Sequence, residues 1–250
     1  MNKKVCIIVG HGKSKSGEYD SGAVSRDGKH QEFLIAREIA KSASDYLGCE
    51  LMNYNGDLYL TDRIRKVNSG DYDFVAEIHL NAGGGKGVEV YYYHDSPTGL
   101  RVSDEICKEI VNTLSVENRG PKVRVNKNGK DYFAIIRDTR PTAILVETVF
   151  IDYASDLAKV KTQEGQRKCG EAIGRAIERA FGGKKNKIRV TVSANSLNIR
   201  SGAGKNFDVV GYAQKGQVLE ISETAANNSW GRISGTEGWI SLNPNYVRRM

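Results

Sequence analysis

Two rhythms of apolar and polar positions share the first 180 residues. Short apolar-rich runs at 4–10, 50–54, 74–80, 87–93 and 142–150 have the length and β-branched content of strands. Between them, 31–47, 58–69, 99–114 and 162–181 repeat apolar side chains every three to four positions, which predicts amphipathic helices. Strand and helix taking turns predicts an α/β domain with a mostly parallel mixed sheet flanked by helices. In the run 142–150, Ile144, Leu145, Val146 and Val149 surround Glu147 in a stretch that reads as buried on both faces.

The rhythm stops at residues 182–187, Gly-Gly-Lys-Lys-Asn-Lys, which read as a linker. Beyond it come only short β-like pieces, at 188–192, 197–200, 208–212, 217–223, 230–233 and 238–241, punctuated by glycine and asparagine. The expected organisation is a first domain over 1–181, the linker, and a small all-β barrel over 188–250. Both tryptophans, Trp230 and Trp239, fall in the barrel.

Composition narrows this picture. A chain of 250 residues accommodates one large domain or two smaller ones. No apolar run approaches the roughly 18 residues that span a bilayer, so membrane insertion is not expected. The basic start followed by Val5-Cys6-Ile7-Ile8-Val9 is too short for a secretory leader and has no small-residue cleavage site. It reads as a first strand, and the chain is expected to stay in the cytosol of the cell that makes it. Cys6, Cys49, Cys107 and Cys169 lie far apart beside apolar segments, which favours free buried thiols over disulfides or metal ligands.

Charge is unevenly placed. Of the net +7, the section from Lys184 onward carries +6. Such a section suits a polyanion: nucleic acid, a membrane surface or an anionic cell wall. Nucleic acid is the weakest of these, because the barrel has few aromatic side chains and no recognition helix is evident.

Candidate chemistry sits where the strands end. His11 stands between Gly10 and Gly12 directly after the first strand, and glycines suit backbone that must come close to a ligand or metal. His79 and Glu147 lie near the ends of two further strands, and Glu32 opens the first helix. In an open α/β sheet the site forms outside the carboxyl ends of the strands, so these groups should converge there. Two imidazoles and a carboxylate with an open position make a catalytic zinc set, and a further glutamate supplies the base that hydrolysis of an amide needs. Glu77 shares a strand face with His79 and Asn81, so it competes with Glu32 for the ligand role. His30 and His94 occupy polar, loop-like contexts and are not expected to bind metal.

Gly10-His11-Gly12, Ser21-Gly22-Ala23, Glu32, Arg63, Ile78-His79-Leu80-Asn81-Ala82 and Glu147-Thr148-Val149-Phe150, in that order, resemble the zinc-dependent N-acetylmuramoyl-L-alanine amidases of the amidase-3 type. The resemblance covers residues 1 to about 181. It implies that Zn²⁺ is held by His11, Glu32 and His79, that Glu147 is the acid/base, and that Asn81 and Arg63 support the site. The implied substrate is the amide between N-acetylmuramic acid and the first L-alanine of the peptidoglycan stem. Two departures stand out: Ile8-Val9 where Asp-Pro is frequent, and Glu77 where serine is common. Residues 188–250 resemble a bacterial SH3-like module, which implies attachment to peptidoglycan or anionic wall polymers, with Trp230 and Trp239 as candidate wall contacts. The arrangement is similar to phage endolysins that act on clostridial-type walls after release from the host cytoplasm. A zinc-dependent wall endopeptidase, a muramidase using Glu77 and Glu147, and a non-catalytic wall-binding protein are the alternatives.

Overall fold

The run Val5–Val9 forms β1, buried at every position. In the computed structural model, residues 3–181, 188–225 and 229–249 are described, and they fall into two compact units, Met1–Gly182 and Gly183–Met250. The expected linker, 182–187, lies outside the described residues.

The first unit runs β1, β2 (Gly12–Lys13), β3 (Tyr19–Asp20), α1 (Glu32–Leu47), β4 (Glu50–Met52), α2 (Leu60–Ser69), β5 (Phe74–Asn81), β6 (Val88–Tyr92), α3 (Pro97–Leu114), β7 (Asn118–Lys122), α4 (Ala134–Arg137), β8 (Thr142–Phe150), α5 (Ala154–Val160) and α6 (Gln163–Ala180). The main sheet has the order β4-β1-β5-β8-β6-β7. Neighbours β4, β1, β5 and β8 pair in parallel, while β6 runs antiparallel to β8 and parallel to β7. The sheet is therefore mixed and mostly parallel. The short strands β2, β3 and β7 and the short helices α4 and α5 carry too few residues to show a period, and the sequence pattern did not reveal them.

Alternation along each strand divides the apolar residues between two cores. Val5, Ile7 and Val9 of β1, Phe74, Ala76, Ile78 and Leu80 of β5, and Ile144 and Val146 of β8 pack with α1, α3 and α6. Cys6, Ile8, Val75, Ala143 and Leu145 point to the opposite face, covered by Val67 of α2 and Ile135 and Ile136 of α4. The same parity carries Glu77, His79 and Asn81 of β5 and Glu147 of β8 to that second face, and Glu89 of β6 with them. A polar set is thus collected on one face at the strands' carboxyl ends.

All four cysteines are free, with Cys6, Cys107 and Cys169 buried. The second unit consists of β9 (Ile188–Val192), β10 (Ser196–Arg200), β11 (Val209–Gln214), β12 (Val218–Thr224), β13 (Trp230–Ile233), β14 (Trp239–Ser241) and β15 (Val247–Arg249). They form one sheet in the order β11-β10-β14-β13-β12-β9-β15 around a core of its own that includes Val190, Leu197, Ile221, Ile240 and Val247. Trp230 and Trp239 are each half-buried and stand outside that core.

Candidate active site

Glu32 is the hub of the site. It opens α1 almost fully buried, at 3% exposure, with Oε1 accepting from the Leu80 amide at 3.0 Å and Oε2 from the Ala23 amide at 2.8 Å. His79 Nδ1 stands 2.9 Å from Glu32 Oε1, and His11 Nε2 stands 3.2 Å from the same oxygen. The two rings meet edge to face with centroids 4.9 Å apart.

Close approach explains the glycines around His11. A Cβ on Gly10 would lie 2.2 Å from His79 Cε1, so only glycine lets the second imidazole sit over the backbone that precedes the first. Gly22 combines a φ of +65° with a position where a Cβ would fall 2.6 Å from both Glu32 Oε2 and His11 Cδ2. His11 itself adopts a φ of 60°, a strained conformation of the kind that clusters at functional sites.

Each histidine also has a carboxylate behind it. His11 Nδ1 faces Asp20 Oδ2 at 2.9 Å, and His79 Nε2 faces Glu77 Oε2 at 3.2 Å. Glu77 is charge-balanced by Arg63, whose Nε stands 2.9 Å from Glu77 Oε1 without an aligned hydrogen bond. Arg63 Nη1 donates to the carbonyls of His11 (2.9 Å) and Leu58 (3.1 Å). One buried guanidinium therefore braces both imidazoles, the first through its backbone and the second through Glu77.

The electrostatics follow from this packing. Burial disfavours charge on His79, but its hydrogen bonds to Glu32 and Glu77 win and raise it to about 10. His11 is also raised: burial pulls it down, and Glu32 and Asp20 outweigh burial and the neighbouring His79. Burial pushes Glu32 up, yet both imidazoles hold it far below the usual carboxylate range. Glu77 is likewise lowered, with the Arg63 charge opposing burial.

Glu147 behaves oppositely. It lies across from His79 in the β5–β8 register, and its buried Oε2 has no hydrogen-bond partner among the described residues. Burial raises it to about 7, with the charge on His79 opposing and those on Glu32 and Glu89 assisting. A carboxyl poised near neutrality with one buried oxygen unpartnered can take and return a proton.

All of these groups line one cleft of about 450 Å³, walled also by Lys13, Tyr59, Asn81 and Phe133. Asn81 Nδ2 donates to Glu89 Oε1 at 2.8 Å, and Tyr91 donates to the same oxygen. Ligand atoms of His11, Glu32 and His79 lie within 4.8 Å of one another, a spacing that fits a metal ion. The donor chemistry fits as well, since ligand histidines characteristically give their second nitrogen to a carboxylate. Glu77 sits behind His79, and the three groups whose ligand atoms converge include Glu32 and not Glu77. Asp20 and Glu89 were not foreseen, because a loop aspartate and a glutamate between valines carry no local signal of what they face. His94 pairs with Asp131 at 2.7 Å and does not line the cleft, and neither does His30.

A family model described as N-acetylmuramoyl-L-alanine amidase matches residues 5–179. The chain belongs to that amidase family. A second model, a bacterial SH3 domain, matches residues 195–246 of this amidase. Among its relatives is the sporulation-specific N-acetylmuramoyl-L-alanine amidase of Bacillus subtilis, 31% identical with 83% of each chain covered. Among solved structures, Cwp6 from Clostridium difficile is 35% identical with a TM-score of 0.65, covering 71% of this chain but only 29% of that one. The catalytic domain of the CD27L endolysin targeting Clostridia difficile is 30% identical with a TM-score of 0.57, covering 71% of this chain and 98% of that one.

Proposed function

We propose that this amidase is zinc-dependent, that His11, Glu32 and His79 hold the ion, and that Glu147 is the catalytic acid and base. The observation that carries the reading is the pairing of two environments: three converging donors, each imidazole backed by a carboxylate, and one buried carboxyl oxygen opposite them left without a partner. Held by these three residues, zinc would supply Lewis acidity to the scissile carbonyl and would ease deprotonation of the attacking water. Glu147 accepts that proton and delivers it to the nitrogen of L-alanine as the bond to the muramic acid lactyl group breaks. Asp20 and Glu77 fix the ring orientations, Arg63 holds the His11 loop and Glu77 in place, and Asn81, tied to Glu89, borders the substrate path.

The second unit serves as a wall anchor, with half-buried Trp230 and Trp239 offering ring faces and its basic residues meeting anionic wall polymers. Likeness to the CD27L catalytic domain supports an endolysin acting on a clostridial-type wall. Mass spectrometry of digested wall tests the central claim. New L-alanine amino termini with intact, unsubstituted muramic acid are expected, together with one zinc per chain. Cleavage within the peptide would identify an endopeptidase instead, and new reducing ends a muramidase.

A further inference from the structure

One wall of the cleft continues into a hairpin that the proposed chemistry leaves unused. Val125 and Asp131 bridge across it, Asn126 N donates to Lys130 O at 2.7 Å, and Tyr132 N donates to Arg124 O at 2.8 Å. Asn126 Oδ1 caps the turn by accepting from the amides of Asn128 and Lys130. Asp131, the hairpin's acid, is buried and engaged by the His94 ring and backbone. The hairpin is therefore stiff, and its negative charge is turned inward.

Its outer surface is cationic and apolar. Arg124, Lys127 and Lys130 are exposed, and none has an acidic partner among the described residues. The Arg124 guanidinium lies 3.9 Å from the centroid of the Tyr132 ring, which orders it before any ligand arrives. Tyr132, at 48% exposure, meets Phe133 edge to face at 5.2 Å, and Phe133 lines the cleft. The lining of the cleft is rich in carboxylates, and its Arg63 is committed to Glu77. The two imidazoles there also face carboxylates, so beside Lys13 of the lining the three cations without acidic partners at this lip are the larger docking surface for a substrate's free carboxylates.

We propose that the hairpin 124–132 docks the carboxylates of the peptide released by the reaction, so that the occupant is an acidic peptide on the alanine side of the scissile amide. This rests on the amidase reading above. Soluble muramyl peptides with free carboxylates, and the same peptides with those carboxylates amidated, test it against the full chain and the triple variant Arg124→Gln/Lys127→Gln/Lys130→Gln. With free carboxylates the variant's KM should rise roughly tenfold, the scale of three exposed ion pairs. With amidated peptides the two proteins should share one KM, and Arg124→Lys should keep most of the wild-type preference. High salt should shrink the gap between the proteins. Equal KM values with free carboxylates, or an equal rise on both substrates, overturn the docking role while leaving the amidase reading intact. Absence of cleavage of either substrate by the zinc-loaded wild type brings down that reading and the docking role with it.

Discussion

His79 and Glu147 stand opposite one another on adjacent parallel strands, in register on the same sheet face, yet hold their protons for opposite reasons. His79 is charged because a carboxylate faces each nitrogen. Glu147 is driven toward neutrality because burial leaves one of its oxygens without a partner. That contrast suits the roles proposed for them, ligand for His79 and proton carrier for Glu147.

Glu147→Gln should retain zinc and lose activity by about 10²–10⁴-fold, the contribution of a positioned general base. The same change should stabilise the metal-free protein at alkaline pH. With the folded value at about 7 against an ordinary 4.5, the folded state keeps a proton that the unfolded chain has already released. Stability therefore falls as pH rises through that window, and the deficit is complete above it. Thermal melts at pH 5 and pH 8 should show the variant gaining on wild type chiefly at the higher pH, by roughly 1–3 kcal/mol there.

Metal uptake should release protons. Both imidazoles are raised in the metal-free protein, so their ligand nitrogens must give up protons to bind. Calorimetric zinc titration in buffers of different ionisation heat should find between one and two protons released near pH 7, on the order of one per ligand imidazole. Affinity should tighten as pH rises toward 10, where His79 loses its charge. A titration with no proton release would remove His79 and His11 from the ligand set. Chelation should abolish turnover.

Glu77→Gln should weaken zinc affinity by about 10–100-fold, the usual effect of removing a carboxylate behind a ligand histidine. It also leaves Arg63, 5% exposed, without its counter-charge, so the melting temperature should fall. The double variant Glu77→Gln/Arg63→Met should recover part of the lost stability without recovering affinity. Denaturant melts and a competitive zinc indicator read the two effects separately.

Gly10→Ala should cost metal binding through contact alone, because its Cβ would enter the His79 ring. Gly28→Ala is the control: φ is +73° there, but nothing lies within 4 Å of the added carbon. The control should lose about 1 kcal/mol of stability and keep its zinc. Loss of zinc in both variants would point to general loosening instead of the His79 contact.

Much of this protein is written locally. Strand and helix periods predicted the mixed sheet, and the change of rhythm after residue 181 predicted a second, all-β unit, because burial on one face imposes a period that a single chain displays. The candidate residues His11, His79 and Glu147 were visible for a related reason: polar side chains stood at the ends of apolar runs, where burial without a partner is costly, whereas Glu32 at the start of a helix stood out through the resemblance. Folding decided what each of them faces. Parity put Glu77 and Glu147 on one sheet face, with Glu77 next to His79 along β5, but only packing of β5 against the start of α1 placed Glu32 between the two imidazoles. Asp20 and Glu89 meet partners eight or nine residues away through loops and turns that show no period, and Arg119 and His94 reach Glu89 and Asp131 from segments farther off, so no local pattern encodes those pairings.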